Sequence, residues 1–237
     1  MRFLAPAVIA AGLLAGVSFA HAQDTLTPLK FQSQGAFGST DKAAAQRGFL
    51  VYQTVCASCH TANALHYRDL EGLGFTPDQV AGIAASVKLA DGSAATLDDV
   101  FKAPAPNAAA FGGALPPDLS SIAAQRPGGP KYIYRLLTGY GTAPDSVTLL
   151  PSRYYNTAYP GFQLAMPAPL KGNDVGYADG TAATTPQEAA DVAAFLAWSA
   201  DPSLDARHAV GLRVVLFFLF MSIIAIATKR KIWRETV

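Results

Sequence analysis

The sequence predicts an all-α fold: a helical body with long loops, held outside the cytoplasm and tethered by one C-terminal transmembrane helix. Three observations carry that reading. Capping signals open short apolar-striped segments between Gly/Pro-rich connections, and strand-like alternation is scarce. A twenty-residue apolar run, 209–228, stops at three consecutive cations. The 237 residues are 51% hydrophobic but only 15% charged, against about 25% charged in an average globular chain. That balance excludes disorder and points to apolar surface facing lipid.

The elements follow in chain order. Arg2, an apolar stretch through Leu4, Ile9, Leu13 and Leu14, and Ala20-His21-Ala22 before Gln23 make residues 1–22 a secretory signal peptide. Asp41 caps a helix running through Ala45, Phe49 and Val51 toward two cysteines. Thr76-Pro77-Asp78-Gln79 is a capping box with proline in the first turn, opening a helix through Val80 and Ile83. Asp118 is placed to cap a short helix through Ile122 and Ala123. Pro130 starts another through Tyr132, Ile133, Leu136 and Leu137, stopped by Gly139. Thr185-Pro186-Gln187-Glu188 reads as a second capping box, with Val192, Phe195, Leu196 and Trp198 as the face it buries. The stretches 102–118 and 140–185 read as loops, long enough to be wrapped around something.

In the final span, Val214 to Ala227 has Ser222 as its only polar residue. Twenty residues at about 1.5 Å each cross a ~30 Å hydrocarbon core. Lys229, Arg230 and Lys231 follow, with Trp233 as an interfacial anchor. By the positive-inside rule the tail, 229–237, is cytoplasmic and the body, 23–208, lies on the other side. The charge is unevenly placed to match: the body holds 12 Lys and Arg against 16 Asp and Glu. A net charge of +1 overall excludes a generally basic nucleic-acid binder.

Chemistry is concentrated in Cys56-Ala57-Ser58-Cys59-His60, the C-x-x-C-H pattern of covalent haem c attachment. Thiols three residues apart share one helix face and can each close a thioether onto one vinyl group of a single porphyrin. The adjacent His60 then offers an imidazole to the iron. A redox C-x-x-C is the competing reading, and it would want βαβ context that is missing here. These are the chain's two cysteines, so a four-thiolate zinc or iron–sulfur site is excluded.

Elimination selects the sixth ligand. Of three methionines, Met1 falls in the signal peptide and Met221 in the transmembrane run, which leaves Met166, in Ala165-Met166-Pro167-Ala168-Pro169. His66 and His208 are the alternatives. Imidazole and thioether ligation fills both axial positions and raises the potential, so such a haem moves electrons and performs no substrate chemistry itself. No G-x-S-x-G, H-E-x-x-H or phosphate-binding glycine loop competes with it. A haem subunit of an oxidase or peroxidase, and a stand-alone membrane-anchored cytochrome, stand beside this as other uses of the same residues.

With those residues in hand, the chain resembles the cytochrome c1 family, the haem subunits of quinol–cytochrome c oxidoreductase (cytochrome bc1) complexes. The resemblance is carried by Gln46-Arg47-Gly48-Phe49, the C-x-x-C-H segment, Tyr67-Arg68-Asp69-Leu70, Gly113-Ala114-Leu115-Pro116-Pro117-Asp118-Leu119-Ser120, Leu136-Leu137-Thr138-Gly139-Tyr140, Tyr154-Tyr155-Asn156 and Ala165-Met166-Pro167. It implies a class I cytochrome c-like haem domain with enlarged loops. It implies one haem c on Cys56 and Cys59, with His60 and Met166 axial. Pro116-Pro117 would line the haem and orient the His60 ring through a backbone carbonyl. Arg126 matches an arginine that pairs with a haem propionate, and Tyr132, Leu136, Leu137, Tyr159 and Pro169 fall at pocket positions. The implied partners are cytochrome b, a Rieske iron–sulfur protein that donates the electron, and a soluble or membrane-anchored cytochrome c that accepts it. The implied setting is a dimeric complex in a bacterial inner membrane, with the haem domain in the periplasm. Phe111, Thr157-Ala158 and Pro127 depart from the family pattern, and the cysteine count excludes the extra disulfide some bacterial members carry near the methionine loop.

Overall fold

A computed structural model of the chain describes residues 29–102 and 113–235. The signal peptide expected over 1–22, Phe111 and most of the first expected loop lie outside the described residues. Six α-helices are described: α1 (Lys42–Thr54), α2 (Pro77–Ser86), α3 (Ile122–Gln125), α4 (Pro130–Thr138), α5 (Thr185–Ala200) and α6 (Leu204–Glu235). Four short strands, β1 (Ala62–His66), β2 (Val100–Phe101), β3 (Tyr154–Tyr155) and β4 (Gln163–Leu164), form two antiparallel pairs, β1 with β2 and β3 with β4. The body is therefore helical with two small ribbons, of which β3–β4 falls inside the expected 140–185 loop. Three of these strands are only two residues long, too short to show a period of two.

Most helix starts follow local chemistry. The Asp41 carboxylate accepts from the Ala44 N–H at 3.0 Å and opens α1. Thr76 and Gln79 satisfy each other's backbone N–H groups at the start of α2. Pro130 sits in the first turn of α4, and Gly139 ends it.

Two starts differ from expectation. The cap of α5 is Thr184, one residue earlier than read, and it accepts from the Gln187 N–H at 3.3 Å. Glu188 is thereby freed from a capping role and turns inward, where its Oε1 accepts from the Asp174 N–H at 2.8 Å. Asp118 does not cap α3, whose cap position is Ser121. It lies too far upstream to reach the first turn, and its carboxylate is taken by other donors.

The core is built where α1 crosses α5. Phe49, Tyr52, Phe195 and Trp198 pack as one aromatic cluster, with Phe195 ring centroids 5.6 Å from Phe49 and 5.3 Å from Tyr52. Beside it Arg47 donates to both carboxylate oxygens of Asp191, each at 3.0 Å. Asp191 is 1% exposed, and a buried carboxylate stripped of that partner costs about 3–5 kcal/mol.

Glu188 is fully buried, and its Oε2 has no hydrogen-bond partner. Burial pushes its carboxyl above the ordinary range. The sign follows: an acid whose folded-state value is raised loses stability as pH climbs from its unfolded to its folded value, because the ionised form must then be held in the core. Glu188→Gln keeps the acceptor for the Asp174 N–H and cannot ionise. Thermal unfolding of the solubilised holoprotein should therefore show this variant more stable than wild type at pH 8, with the gain shrinking toward pH 4. A gain independent of pH would remove ionisation as its cause.

Helix α6 is long and apolar enough to cross a membrane from Leu204 to Arg234, with a mean hydropathy of 2.5 over its most apolar window and none of that window buried. The helix extends past both ends of the expected 209–228 run. Its first turns are tied to the body: the His208 Nδ1–H donates to the Gly38 carbonyl at 2.7 Å, and Asp205 accepts from the Thr40 N–H at 2.9 Å. Near its other end the Lys229 ammonium lies 4.5 Å from the Trp233 ring centroid.

Candidate functional site

The C-x-x-C-H segment sits just beyond the last turn of α1. A short 3₁₀ turn, Cys56–Ser58, carries the chain on, and the Cys59 and His60 N–H groups both fold back onto the Cys56 carbonyl, at 3.1 and 2.9 Å. That wrap keeps Cys56, Cys59 and His60 on one compact turn. The two cysteines are not joined in a disulfide. Burial first, then the neighbouring Cys59, push the Cys56 thiol up to about 12, so it is a protonated thiol and not a thiolate at neutral pH.

His60 is oriented from a segment 57 residues away: its Nδ1–H donates to the Pro117 carbonyl at 2.8 Å. With that nitrogen committed, Nε2 is left as the unprotonated, metal-accessible atom. Burial lowers the imidazole below its ordinary value against the opposing pull of the Pro117 carbonyl and Asp118, so the ring is neutral with its lone pair available.

Asp118 holds Pro117 in place. Its Oδ2 accepts from the Thr61 hydroxyl at 2.7 Å and the Asn63 N–H at 2.8 Å, while Oδ1 accepts from the Ser120 N–H at 2.9 Å. Burial works to raise this carboxyl, but those donors outweigh it and hold it below the usual carboxylate range. Leu119 N–H to the Thr61 carbonyl at 2.8 Å and Ala64 N–H to the Ser120 hydroxyl at 2.9 Å complete the zipper between 117–120 and 60–64. Sequence reasoning gave Asp118 a capping role; besides the nearby Ser120, its partners lie 55 and 57 residues away, and no local signal reports those.

Met166 is half-buried just after β4, and its carbonyl accepts from the Tyr140 hydroxyl at 3.1 Å. Burial pushes the Tyr140 phenol above its ordinary value, so it remains a donor. Tyr140 is a second residue that sequence reasoning missed as a site contributor.

On and beside α4, Tyr132, Leu136 and Leu137 are half-buried side chains. The exposed Arg126 has its guanidinium carbon 5.9 Å from the Tyr132 ring centroid, and Tyr159 is half-buried. Pro116 and Pro169 are half-buried as well. The two histidine alternatives are engaged elsewhere. The His66 ring lies 3.6 Å from the Asp69 carboxylate at the end of β1, and His208 is bonded to Gly38 on α6.

The donor set fits a haem c. It offers two thiols on one turn, a neutral imidazole with a free Nε2, a half-buried thioether, and an apolar and aromatic wall on α4. No group of three or more His, Cys, Asp or Glu able to hold a metal ion occurs among the described residues. An open cleft of about 860 Å³ lies against the Cys56–Ser58 turn, lined by Tyr52, Ala57, Val87, Leu89, Lys102 and Phe101 among others; neither His60 nor Met166 lines it.

A model of the Cytochrome C1 family matches residues 31–236. Cytochrome c1 of Rhodospirillum rubrum is 38% identical over 97% of this chain and 96% of its own length. The mitochondrial cytochrome c1 haem protein of Saccharomyces cerevisiae is 38% identical over 84% of this chain and 69% of its own. A protein of Bradyrhizobium diazoefficiens described as cytochrome b/c1 is 35% identical over 87% of this chain, which spans 35% of that longer protein.

Proposed function

Because the chain belongs to the cytochrome c1 family, we propose that it is the electron-transfer haem subunit of a cytochrome bc1 complex, taking one electron at a time from a Rieske iron–sulfur protein and passing it to a cytochrome c. The observation that carries this is the His60 Nδ1–H bond to the Pro117 carbonyl. It commits the imidazole to the tautomer an axial ligand needs, immediately beside Cys56 and Cys59.

Haem c bound there supplies a one-electron iron couple whose potential is raised by imidazole–thioether ligation. The chain's own residues do the rest. Cys56 and Cys59 fix the macrocycle covalently. Asp118 and Pro117 hold the imidazole direction, so little reorganisation accompanies a change of charge at the iron. Met166 would offer its thioether to the iron and so exclude oxygen and other ligands. Tyr132, Leu136, Leu137 and Tyr159, with Pro116 and Pro169, keep water from the macrocycle, and Arg126 offers a cation to a propionate. In this reading His66 and His208 have structural roles.

In the same reading residues 1–22 are removed on export, 23–208 form the periplasmic haem domain, α6 crosses the bacterial inner membrane once, and 229–237 are cytoplasmic. The apolar, unburied α6 supports the anchor, and the name of the Bradyrhizobium relative supports association with a cytochrome b. The acidic body suits a basic acceptor, since complementary charge raises encounter rates.

Mild detergent extraction tests this. A single covalent haem c should co-purify with a haem b subunit and become reduced by quinol, and its oxidation by a basic cytochrome c should slow as ionic strength rises. A chain that elutes alone would be a stand-alone membrane cytochrome, and a five-coordinate ferrous haem in the wild type would favour oxidase or peroxidase use.

A further inference from the structure

Met166 lies between two fixed points. Upstream, β3 and β4 pair Tyr154 with Leu164 and Tyr155 with Gln163, and Leu164 is buried. Downstream, Leu170 is buried. Between them, Pro167 and Pro169 offer no backbone N–H, so the segment cannot be held through donors at those positions. The hold on Met166 comes from outside the loop, through the Tyr140 hydroxyl.

Tyr140 is in turn fixed at the C-terminal end of α4. It forms an isolated antiparallel bridge with Asn156. Asn156 is fully buried, and its Nδ2 donates to the Leu136 carbonyl at 2.7 Å while its Oδ1 accepts from the Ala158 N–H at 2.9 Å. Its own N–H donates to the Phe162 carbonyl at 2.9 Å, closing the turn that leads into β4. The Thr157 N–H reaches the Gly139 carbonyl at 2.9 Å. This approach requires glycine at 139, where a Cβ would stand 2.6 Å from the Arg135 carbonyl oxygen and 2.9 Å from the Thr157 hydroxyl.

We propose that Tyr140 is a positioning residue for the axial methionine: anchored with Asn156 to the end of α4, its hydroxyl fixes the Met166 carbonyl and so keeps the thioether aimed at the haem iron. The inference rests on Met166 being the ligand. A thioether is a weak ligand, and an unheld loop would have to lose its backbone freedom each time the sulfur returned to the iron. A carbonyl fixed from α4, the helix whose Tyr132, Leu136 and Leu137 stand at the pocket, removes most of that cost in advance.

Tyr140→Phe in the full-length, membrane-extracted protein removes one oxygen and leaves the ring. Haem should stay attached. The fraction of molecules with sulfur off the iron should rise about three- to tenfold, the factor one lost hydrogen bond amounts to. It is read as faster binding of carbon monoxide to the ferrous form, a weaker red sulfur-to-iron absorption band in the ferric form, and a lower midpoint potential. Met166→Leu and the double variant complete the cycle. A residue acting through Met166 adds nothing once the sulfur is gone, so the double variant should match Met166→Leu alone. Wild-type ligand binding and potential in Tyr140→Phe, effects that add in the double variant, or loss of haem from Tyr140→Phe but not from Met166→Leu would each overturn the proposal. If Met166→Leu keeps a wild-type potential, the ligand reading itself fails, and the two failures are thereby told apart.

Discussion

Replacing Met166 with leucine should leave the haem bound and lower its reduction potential by about 0.2 V, a quarter of the ~0.8 V over which axial ligands move haem potentials. The size follows from what the substitution removes. Leucine has nearly the volume of methionine but no lone pair, so the loop and pocket stay filled while the iron loses its soft, electron-accepting ligand. Attachment is unaffected, because it would rest on Cys56 and Cys59, and the His60 ring is held by the Pro117 carbonyl, none of which the substitution touches. For a one-electron couple about 59 mV is a factor of ten. A fall of 0.2 V therefore shifts the equilibrium with any fixed redox partner by more than about a thousandfold, against electron uptake from a donor of unchanged potential and in favour of delivery to an acceptor. Redox titration of extracted membranes measures it, and carbon monoxide should bind the ferrous variant. A potential equal to wild type would remove Met166 from the iron.

The second large effect is on folding. A Cβ at Gly48 would stand 1.9 Å from the Asp191 carbonyl oxygen and 2.9 Å from the Phe195 Cβ, both on α5. Neither partner is a flexible side-chain tip, so Gly48→Ala must push α1 away from α5. That movement breaks the two 3.0 Å bonds from Arg47 to Asp191 and opens the Phe49–Tyr52–Phe195 cluster together. The loss should exceed about 4 kcal/mol, a large share of the ~5–15 kcal/mol that holds a typical domain. Little holoprotein should accumulate. Gly82 on α2 has nothing within 4 Å of its Cβ position, so Gly82→Ala should instead stabilise by up to about 1 kcal/mol through helix propensity. Haem content and melting temperature of the two variants measure the contrast. Equal melting of Gly48→Ala and wild type would refute the close crossing.

The parts legible in advance were those fixed within a few residues. Asp41, the Thr76–Gln79 box, Pro130 and Gly139 mark helix ends because a cap satisfies donors three positions away. Thr184 was missed by one residue because Thr184 and Thr185 are chemically equal candidates, and the inward pull of Asp174 on Glu188 decides between them. The β3–β4 hairpin was read as loop because two-residue strands carry no period.

By itself the sequence determined the chemistry on offer: two thiols and an imidazole on one turn, a single methionine left for the body, and a C-terminal apolar run ended by cations. Periodicity, spacing and composition are local quantities, and they suffice for that. Only the tertiary structure decided that Asp118 holds Pro117 under His60, that Tyr140 holds Met166, and that Gly48 is where two helices touch. Each of those depends on atoms 26 to 143 residues apart, brought together by the packing of α1, α4 and α5, and a contact across such a distance leaves no trace in the order of the residues.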